Sequence, residues 1–492
     1  MNTKIIARFA VLAFAICALA AEPVASPEQN EARVTRIENG LLPGVIIKGA
    51  PRPAMSIRER MAHHKVPGVS VAVINKGAIE WARGYGVVEA GRDQPVTAET
   101  LFQAASISKP VAAMGALHLV EKGKLSLDED VNLKLKSWRL PENEFTKEKK
   151  VTLRGLLNHS AGITVHGFPG YAANEPVPSL LEVLEGRKPP ANSAPVRVDM
   201  APGTKWRYSG GGFTVAQLLV MDVTGKPFPE FMKETVLEKI GMAQSTYEQP
   251  LSKESAARAA LAHGRNGKAL EGRWHTYPEM AAAGLWTTPS DLARFAIEIQ
   301  NSLAGKSNKV LSKEMTAEML KPLMSDYGLG METKGQGRAA TFGHGGSNEG
   351  FRCQMFAYCE TGQGAVVMTN GEAGDPLAEE ILRSIAAEYG WPDYQVAERE
   401  VAKIDPKVYE SFAGEYQTKN TSATVLVNGG RLFLKAAPLG PEPIELFPES
   451  ESKYFVTVQN MTFTFVKNES GKVTELIFQP AKGQPVTAKR VN

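Results

Sequence analysis

From Val111 to Val120 (Val-Ala-Ala-Met-Gly-Ala-Leu-His-Leu-Val) the chain is apolar on nearly every face of a helix, so the rest of the molecule has to surround this segment on most sides. Proline is tolerated only in the first turn of a helix, and Pro110 therefore sets the helix start within a few residues of Ser106. Ser106 is thereby placed near backbone N–H groups without internal partners, which favour negative charge on an oxygen held in front of them. Lys109 follows at a spacing of three, which on a helix brings its side chain within about 5–6 Å of the serine's face. A serine hydroxyl becomes a strong nucleophile when a base takes its proton, and a lysine is such a base once burial or a nearby cation lowers its pKa. The apolar run supplies the burial. Alone, Ser106-Ile107-Ser108-Lys109 also fits a capping serine and a surface lysine on an ordinary core helix, and in isolation that plainer reading is preferred.

The 492 residues, 43% hydrophobic and 22% charged, suffice for one large domain and a smaller one. The first twenty stand apart. Lys4 and Arg8 precede the apolar run Phe9 to Ala20, and Ala18-Leu19-Ala20 offers a small-x-small cleavage site, the layout of a secretory signal. That run is short for a membrane span, and no later stretch reaches the roughly 20 apolar residues one needs. The expectation is an exported protein, periplasmic or secreted. Ile16 is larger than the residue expected ahead of a lipidated cysteine, which argues against an anchor at Cys17. Removing residues 1–20 takes two positive charges from a formal +3, and no basic run suggests nucleic acid. Cys353 and Cys359 remain. Six residues of extended chain cover about 20 Å against the about 5.5 Å between α-carbons of a disulfide, so the two are expected to be unpaired with each other.

Residues 21–53 read as an N-terminal arm, followed by a short helix. Gly68–Ile74 and Ile79–Tyr85, separated by Asn75-Lys76-Gly77, read as two strands of a hairpin. His63-His64 lacks a partner at metal spacing and reads as a solvated helix end. Val151–Leu157 forms a short helix before the turn Asn158-His159-Ser160-Ala161-Gly162, where His159 ties the turn to the core. Residues 163–200 are Pro/Gly-rich with one helix, Ser179–Glu185, and read as a lid or a substrate-facing wall. Next come Tyr208-Ser209-Gly210-Gly211-Gly212 and a helix Thr214–Val223, then a turn and helix within residues 281–299. After Phe342-Gly343-His344-Gly345-Gly346-Ser347 two strands, Phe351–Cys359 and Ala365–Asn370, precede a helix Pro376–Tyr389.

Three of these stretches carry a resemblance. Ser106-Ile107-Ser108-Lys109, Tyr208-Ser209-Gly210 and His344-Gly345-Gly346 have the order and spacing of the Ser-x-x-Lys, Tyr-x-Asn and Lys-Thr-Gly motifs, the last known also as His-x-Gly. The chain resembles the serine β-lactamase and penicillin-binding-protein family over residues ~55 to 390, in particular its class C β-lactamase, D-alanyl-D-alanine carboxypeptidase and esterase branch. The resemblance implies an α/β (α+β) sandwich in residues 54–395, with residues 68–87 and 351–370 in one antiparallel sheet covered by helices. It also implies roles. Ser106 attacks a carbonyl, Lys109 and Tyr208 share the proton traffic, with the phenol ionising more easily beside an ammonium, and the N–H groups of Ser106 and Ser347 hold the oxyanion. His344, Gly345, Gly346 and Gly210 line the substrate. No metal and no cofactor are implied.

Departures from the family pattern bear on substrate. Gly210 stands where an asparagine amide usually helps to bind the acyl side chain, and the three glycines either let substrate approach the backbone or simply form a turn. His344 replaces a permanent cation and grips a carboxylate less firmly at neutral pH; Arg352 is a candidate to compensate. Past Pro392, short alternating strands, about eight over residues 406–492, suggest a small antiparallel β-barrel similar to the lipocalin-like domains appended to this family. The reading is an exported serine hydrolase working through a Ser106 acyl-enzyme on esters or D-amino-acid-containing peptides, with a small-molecule or peptide substrate as its only expected partner. A β-lactamase is the enzymatic alternative, and a cell-wall peptide-binding protein with a retired site is the alternative of another class. The oligomeric state is left open.

Overall fold

The β-rich run starting at Gly68 forms strand β1 (Gly68–Asn75), which turns at Lys76-Gly77 into β2 (Ala78–Gly86) in a computed structural model describing residues 26–491 apart from 54, 420, 437–441 and 482. The secretory signal read in residues 1–20 lies outside the described residues, as does the start of the arm. Much later in the chain come β3 (Glu332–Lys334), β4 (Thr341–Asn348), β5 (Phe351–Tyr358) and β6 (Gly364–Thr369). The six strands form one antiparallel sheet in the order β2-β1-β6-β5-β4-β3. β1 pairs with β6, Val69 opposite Thr369, so the two ends of this region close on each other in the antiparallel sheet expected.

Alternation along the central strands feeds two cores. Val69, Val71, Val73, Ala365 and Val367 face one side, and Ala72, Ile74, Val366 and Met368 the other. The helices that cover the sheet are α1 (Pro27–Glu38), α2 (Ile57–His64), α3 (Ser108–Glu121), α4 (Gly210–Thr224), α5 (Met280–Ala283), α6 (Pro289–Leu303) and α7 (Gly374–Glu388). The first core takes Val34 and Ile37 of α1, Met61 of α2 and Leu377, Ile381 and Ile385 of α7. The second takes α6 and, beyond it, α3, which is buried at every position from Ser108 to Leu117. Each fully buried Leu, Val or Met there contributes about 1.5–3 kcal/mol relative to exposure, and Leu117→Ala would cost about 2–5 kcal/mol.

Some boundaries differ from the sequence reading. α4 begins at Gly210 rather than Thr214, so the three glycines are its first turn, and Gly225 caps it in the left-handed region. α1 lies inside what reads as an irregular arm; only Val34 and Ile37 are buried, too few to mark the helix by pattern. The helix end at His63-His64 is not simply solvated, since His64 Nε2 and the Arg60 guanidinium both meet the buried carboxylate of Glu380, at 3.1 and 2.7 Å. Cys353 and Cys359 are free and buried.

The C-terminal strands β7 (Gly414–Gln417), β8 (Ser422–Asn428), β9 (Arg431–Ala436), β10 (Ile444–Pro448), β11 (Lys453–Phe455), β12 (Met461–Lys467), β13 (Val473–Pro480) and β14 (Val486–Val491) close an antiparallel barrel. Side chains fill its interior: Phe412 stacks on Phe465 at 4.3 Å, with Tyr416, Tyr454, Phe463 and Leu434 around them. The barrel is fastened to the rest by a parallel pair, Val45–Ile47 beside Ala397–Arg399. Val45 N–H also donates to Thr457 O (2.9 Å), and Arg399 Nη2 to Asn460 Oδ1 (2.9 Å). Among the described residues no helix is long and apolar enough to cross a membrane.

Candidate active site

The chain enters the site along Phe102–Gln103, which pairs with Trp286–Thr287, and makes a tight 3-10 turn, Ala105–Ile107, before α3. Ala105 is held at φ +50°, a region most residues avoid, and the turn that presents Ser106 is therefore fixed by its surroundings. Ser108 Oγ donates to Ala105 O (2.5 Å) and accepts from Leu285 N–H (2.9 Å), while Ala104 N–H donates to Leu285 O (2.8 Å). Pro110 stands in the first turn of α3, as its chemistry requires.

Lys109 is only 2% exposed, and its Nζ lies 3.0 Å from Ser106 Oγ and 2.8 Å from Ala282 O at the end of α5. Burial pushes this amine down to about 7, so a large fraction is neutral at physiological pH. The Tyr208 ring centroid is 4.8 Å from Lys109 Nζ. The structure thus brings to the hydroxyl and amine a phenol that lies about a hundred residues further along the sequence. The expectation of a readily ionised phenol does not hold. Burial drives the Tyr208 pKa upward, the hydrogen bond with Ser106 offsets only part of this, and the amine beside it is no permanent cation. The acid–base order is therefore an amine that sheds its proton near neutral pH beside a phenol that keeps its own.

β4 runs along this turn, and Gly346 is the point of closest approach: a Cβ there would lie 2.3 Å from Ala104 O, so only glycine fits. Ser347, exposed, follows it opposite Arg352 across the ladder. The two-residue turn Glu349-Gly350 makes Asn348 and Phe351 the hydrogen-bonded pair, and by alternation the Ser347 N–H points away from β5. Asn348 Nδ2 donates to Gln103 Oε1 (2.7 Å) and Ala283 O (3.1 Å), tying β4 to α5.

His344 is buried and does not offer a charge to a ligand. Its Nδ1 is 2.5 Å from Gly345 O, a group that only accepts, so the proton sits on Nδ1 and Nε2 accepts from the Tyr327 hydroxyl at 3.0 Å. Burial, then repulsion from Lys109, pushes its pKa down to about 4. Both ring nitrogens of His344 are thus engaged within the protein. Arg352 does not compensate. Its guanidinium donates to Asn348 O and Phe351 O and faces Glu372 and Asp375, both at 3.3 Å.

Residues 164–168, the start of the Pro/Gly-rich insertion, form a wall of the site. The free N–H groups of the first turn of α4 end on them: Gly210 N–H donates to His166 O (2.9 Å), Gly211 N–H to Val165 O (3.0 Å), and Ser209 Oγ, itself bonded to Thr164 O, takes Gly212 N–H (3.0 Å). Gly210 and Gly211, in the first turn of the helix, allow close packing of this wall. A Cβ on Gly211 would lie 2.6 Å from Thr164 O. A Cβ on Gly210 would come within 3.0 Å of the Phe168 ring, in the space an asparagine amide would need. The exposed His166 ring lies 4.9 Å from the Tyr208 ring.

Sequence reasoning passed over Tyr327, His166, Phe168 and Ala282, single residues without periodic or spacing cues, and took His159 as a turn anchor only. One further group is unusual. Glu279, which opens α5, is fully buried, both its oxygens lack a partner, and burial pushes its pKa up to about 8.

A serine hydroxyl on a strained turn, within hydrogen-bond reach of a buried neutral amine, on a helix-covered antiparallel sheet defines a serine hydrolase. The chain belongs to the β-lactamase family, whose model matches residues 55–389, and a domain family of unknown function, DUF3471, matches residues 398–489. It is 25% identical over 457 residues to penicillin-binding protein 4* of Bacillus subtilis, covering 85% of this chain and 93% of that one. It is 24% identical to a D-aminopeptidase of Brucella anthropi over 82% of this chain and 73% of the relative, and 30% identical to esterase EstB of Burkholderia gladioli over 38% and 47%. In fold it is similar to an octameric penicillin-binding protein homologue from Pyrococcus abyssi, with TM-score 0.58 and 22% identity over 88% of this chain and 98% of that one.

Proposed function

We propose that the protein is an exported serine hydrolase that acts through an acyl-enzyme on Ser106, on esters or D-amino-acid-containing peptides. The observation that carries this reading is the 3.0 Å approach of the Lys109 amine, depressed to about 7, to Ser106 Oγ. In acylation, neutral Lys109 takes the Ser106 proton as Oγ bonds to the substrate carbonyl carbon. The N–H groups of Ser106 and Ser347 hold the oxyanion, a pair of donors of which each is worth about 3 kcal/mol. The proton then passes through the Tyr208 hydroxyl to the leaving oxygen or nitrogen as its bond to carbon breaks. In deacylation, water loses a proton by the same route in reverse and Ser106 regains its own. Names among the relatives, an esterase and a D-aminopeptidase, support this substrate range. The export part rests on the signal layout of residues 1–20.

A β-lactamase is less well supported. A β-lactam carboxylate would meet His344 with both ring nitrogens bonded and Arg352 turned to other partners, and its side chain would find Phe168 where an amide is wanted. The test is labelling by a fluorophosphonate, expected for the wild type and absent in Ser106→Ala, followed by comparison of p-nitrophenyl acetate, nitrocefin and a D-Ala-D-Ala peptide. A folded wild type that takes no label would favour a peptide-binding protein instead, and nitrocefin turned over faster than the acetate would favour the β-lactamase.

A further inference from the structure

The backbone N–H groups of the two residues on either side of Tyr208 end on one residue. His159 O accepts Arg207 N–H at 2.8 Å, and His159 Nδ1 accepts Ser209 N–H at 3.1 Å. The imidazole also lies against the Tyr208 ring, centroid to centroid 4.3 Å. A ring nitrogen that accepts from a backbone N–H carries no proton, so the neutral ring bears its proton on Nε2. That nitrogen is buried without a hydrogen-bond partner, in a cage whose other rings are Tyr327 at 4.8 Å, Phe213 at 5.5 Å and Trp206 at 5.9 Å. His159 holds this pose at φ +63°, where a side chain is strained. An anchor for the turn alone would need neither the unpaired nitrogen nor the strain.

We propose that His159 is a positioning residue that clamps the backbone on either side of Tyr208 and, through ring contact, sets the phenol against Ser106 and Lys109. The cage extends the clamp, because the Tyr327 hydroxyl donates to His344 Nε2, so the tyrosine, the clamp and the β4 strand are located by one set of contacts. The inference rests on the proposed role of the Tyr208 hydroxyl as proton carrier. Proton transfer requires a heavy-atom separation of about 2.6–3.2 Å, and a phenol released by a fraction of an ångström leaves that range.

The test compares His159→Asn with His159→Gly. Asparagine tolerates positive φ and places an acceptor oxygen near the position of Nδ1; glycine relieves the strain and supplies no acceptor and no ring. With p-nitrophenyl acetate, His159→Gly is expected to lose about 30- to 100-fold in kcat with KM changed less than threefold, and His159→Asn to recover about tenfold of that loss. In a Tyr208→Phe background His159→Gly is expected to cost less than threefold, because the group being positioned is gone. If the glycine variant does not fold, His159→Asn measured in the wild-type and Tyr208→Phe backgrounds carries the comparison, its loss expected to shrink in the second. A folded His159→Gly with kcat within threefold of wild type, equal losses in the Asn and Gly variants, or an undiminished loss in the Tyr208→Phe background would each overturn the clamp. Turnover that persists in Ser106→Ala sinks the underlying hydrolase reading instead, which separates the two failures.

Discussion

The surroundings of Ser106 and the interior of the C-terminal barrel both bury many side chains, and they bury opposite kinds. In the barrel the buried groups include Phe412, Phe463, Phe465 and Leu434, and two of its tyrosines satisfy their hydroxyls at once, Tyr416 on Phe412 O (2.7 Å) and Tyr454 on Glu451 O (3.2 Å). Around Ser106 an amine, two imidazoles and two phenols are taken out of water, with pKa values displaced by that burial. Burying a charge costs several kcal/mol, so burial shifts each group there towards its neutral form. The barrel follows the rules of folding throughout; the site breaks them where chemistry needs a neutral base in a dry place.

Substitutions in the two regions should separate activity from stability. Lys109→Met should lower kcat/KM for p-nitrophenyl acetate by about 10³- to 10⁴-fold, with the melting temperature unchanged or raised, since a buried amine is replaced by an apolar chain of similar length. Tyr208→Phe should cost about 10²-fold. In the wild type kcat/KM should rise about tenfold per pH unit up to about 7, where the Lys109 ammonium loses its proton, and level off above it. A limb centred on 10 would show that the amine is not desolvated in solution.

Phe465→Ala should cost about 3–5 kcal/mol of barrel stability, read by denaturant melts, while kcat on small esters stays within twofold of wild type. A kcat falling in proportion would erase the distinction between the two regions. The smallest effect is expected at Glu279. Its folded pKa of about 8 lies above the unfolded value of 4.5, so its protonated form stabilises the fold fully below pH 4.5 and this contribution fades as pH rises towards 8. Glu279→Gln should therefore gain about 1–3 kcal/mol at pH 7.5 and little at pH 4.5. Equal melting of the two proteins at both pH values would mean that the carboxyl finds partners in solution.

The contrast also explains what could be read from the sequence. Barrel strands such as Met461–Lys467 alternate, and alternation is local; the number of strands followed from it. Ser106 and Lys109 were legible because three residues on a helix fix their neighbourhood, and Tyr208 because a motif in the right order marked it. The neutral state of His344 was hidden: it depends on Tyr327, seventeen residues earlier, and on Lys109, two hundred and thirty-five residues earlier. The role of Gly210 and Gly211 was equally hidden, since it lies in the carbonyls of residues 164–166 that cover them, and nothing in a Pro/Gly-rich stretch says where it will lie. α1 escaped because two buried residues in twelve make no periodic signal.

The parallel pair of Val45–Ile47 with Ala397–Arg399 means that the molecule is laced from both directions. The polypeptide visits the barrel's doorstep before it has built the hydrolase and again after it has finished. A protease nick or a gene truncated near residue 396 would thus strip an early strand of its mate, and a fragment starting at residue 55 would leave the barrel hanging by one thread instead of two.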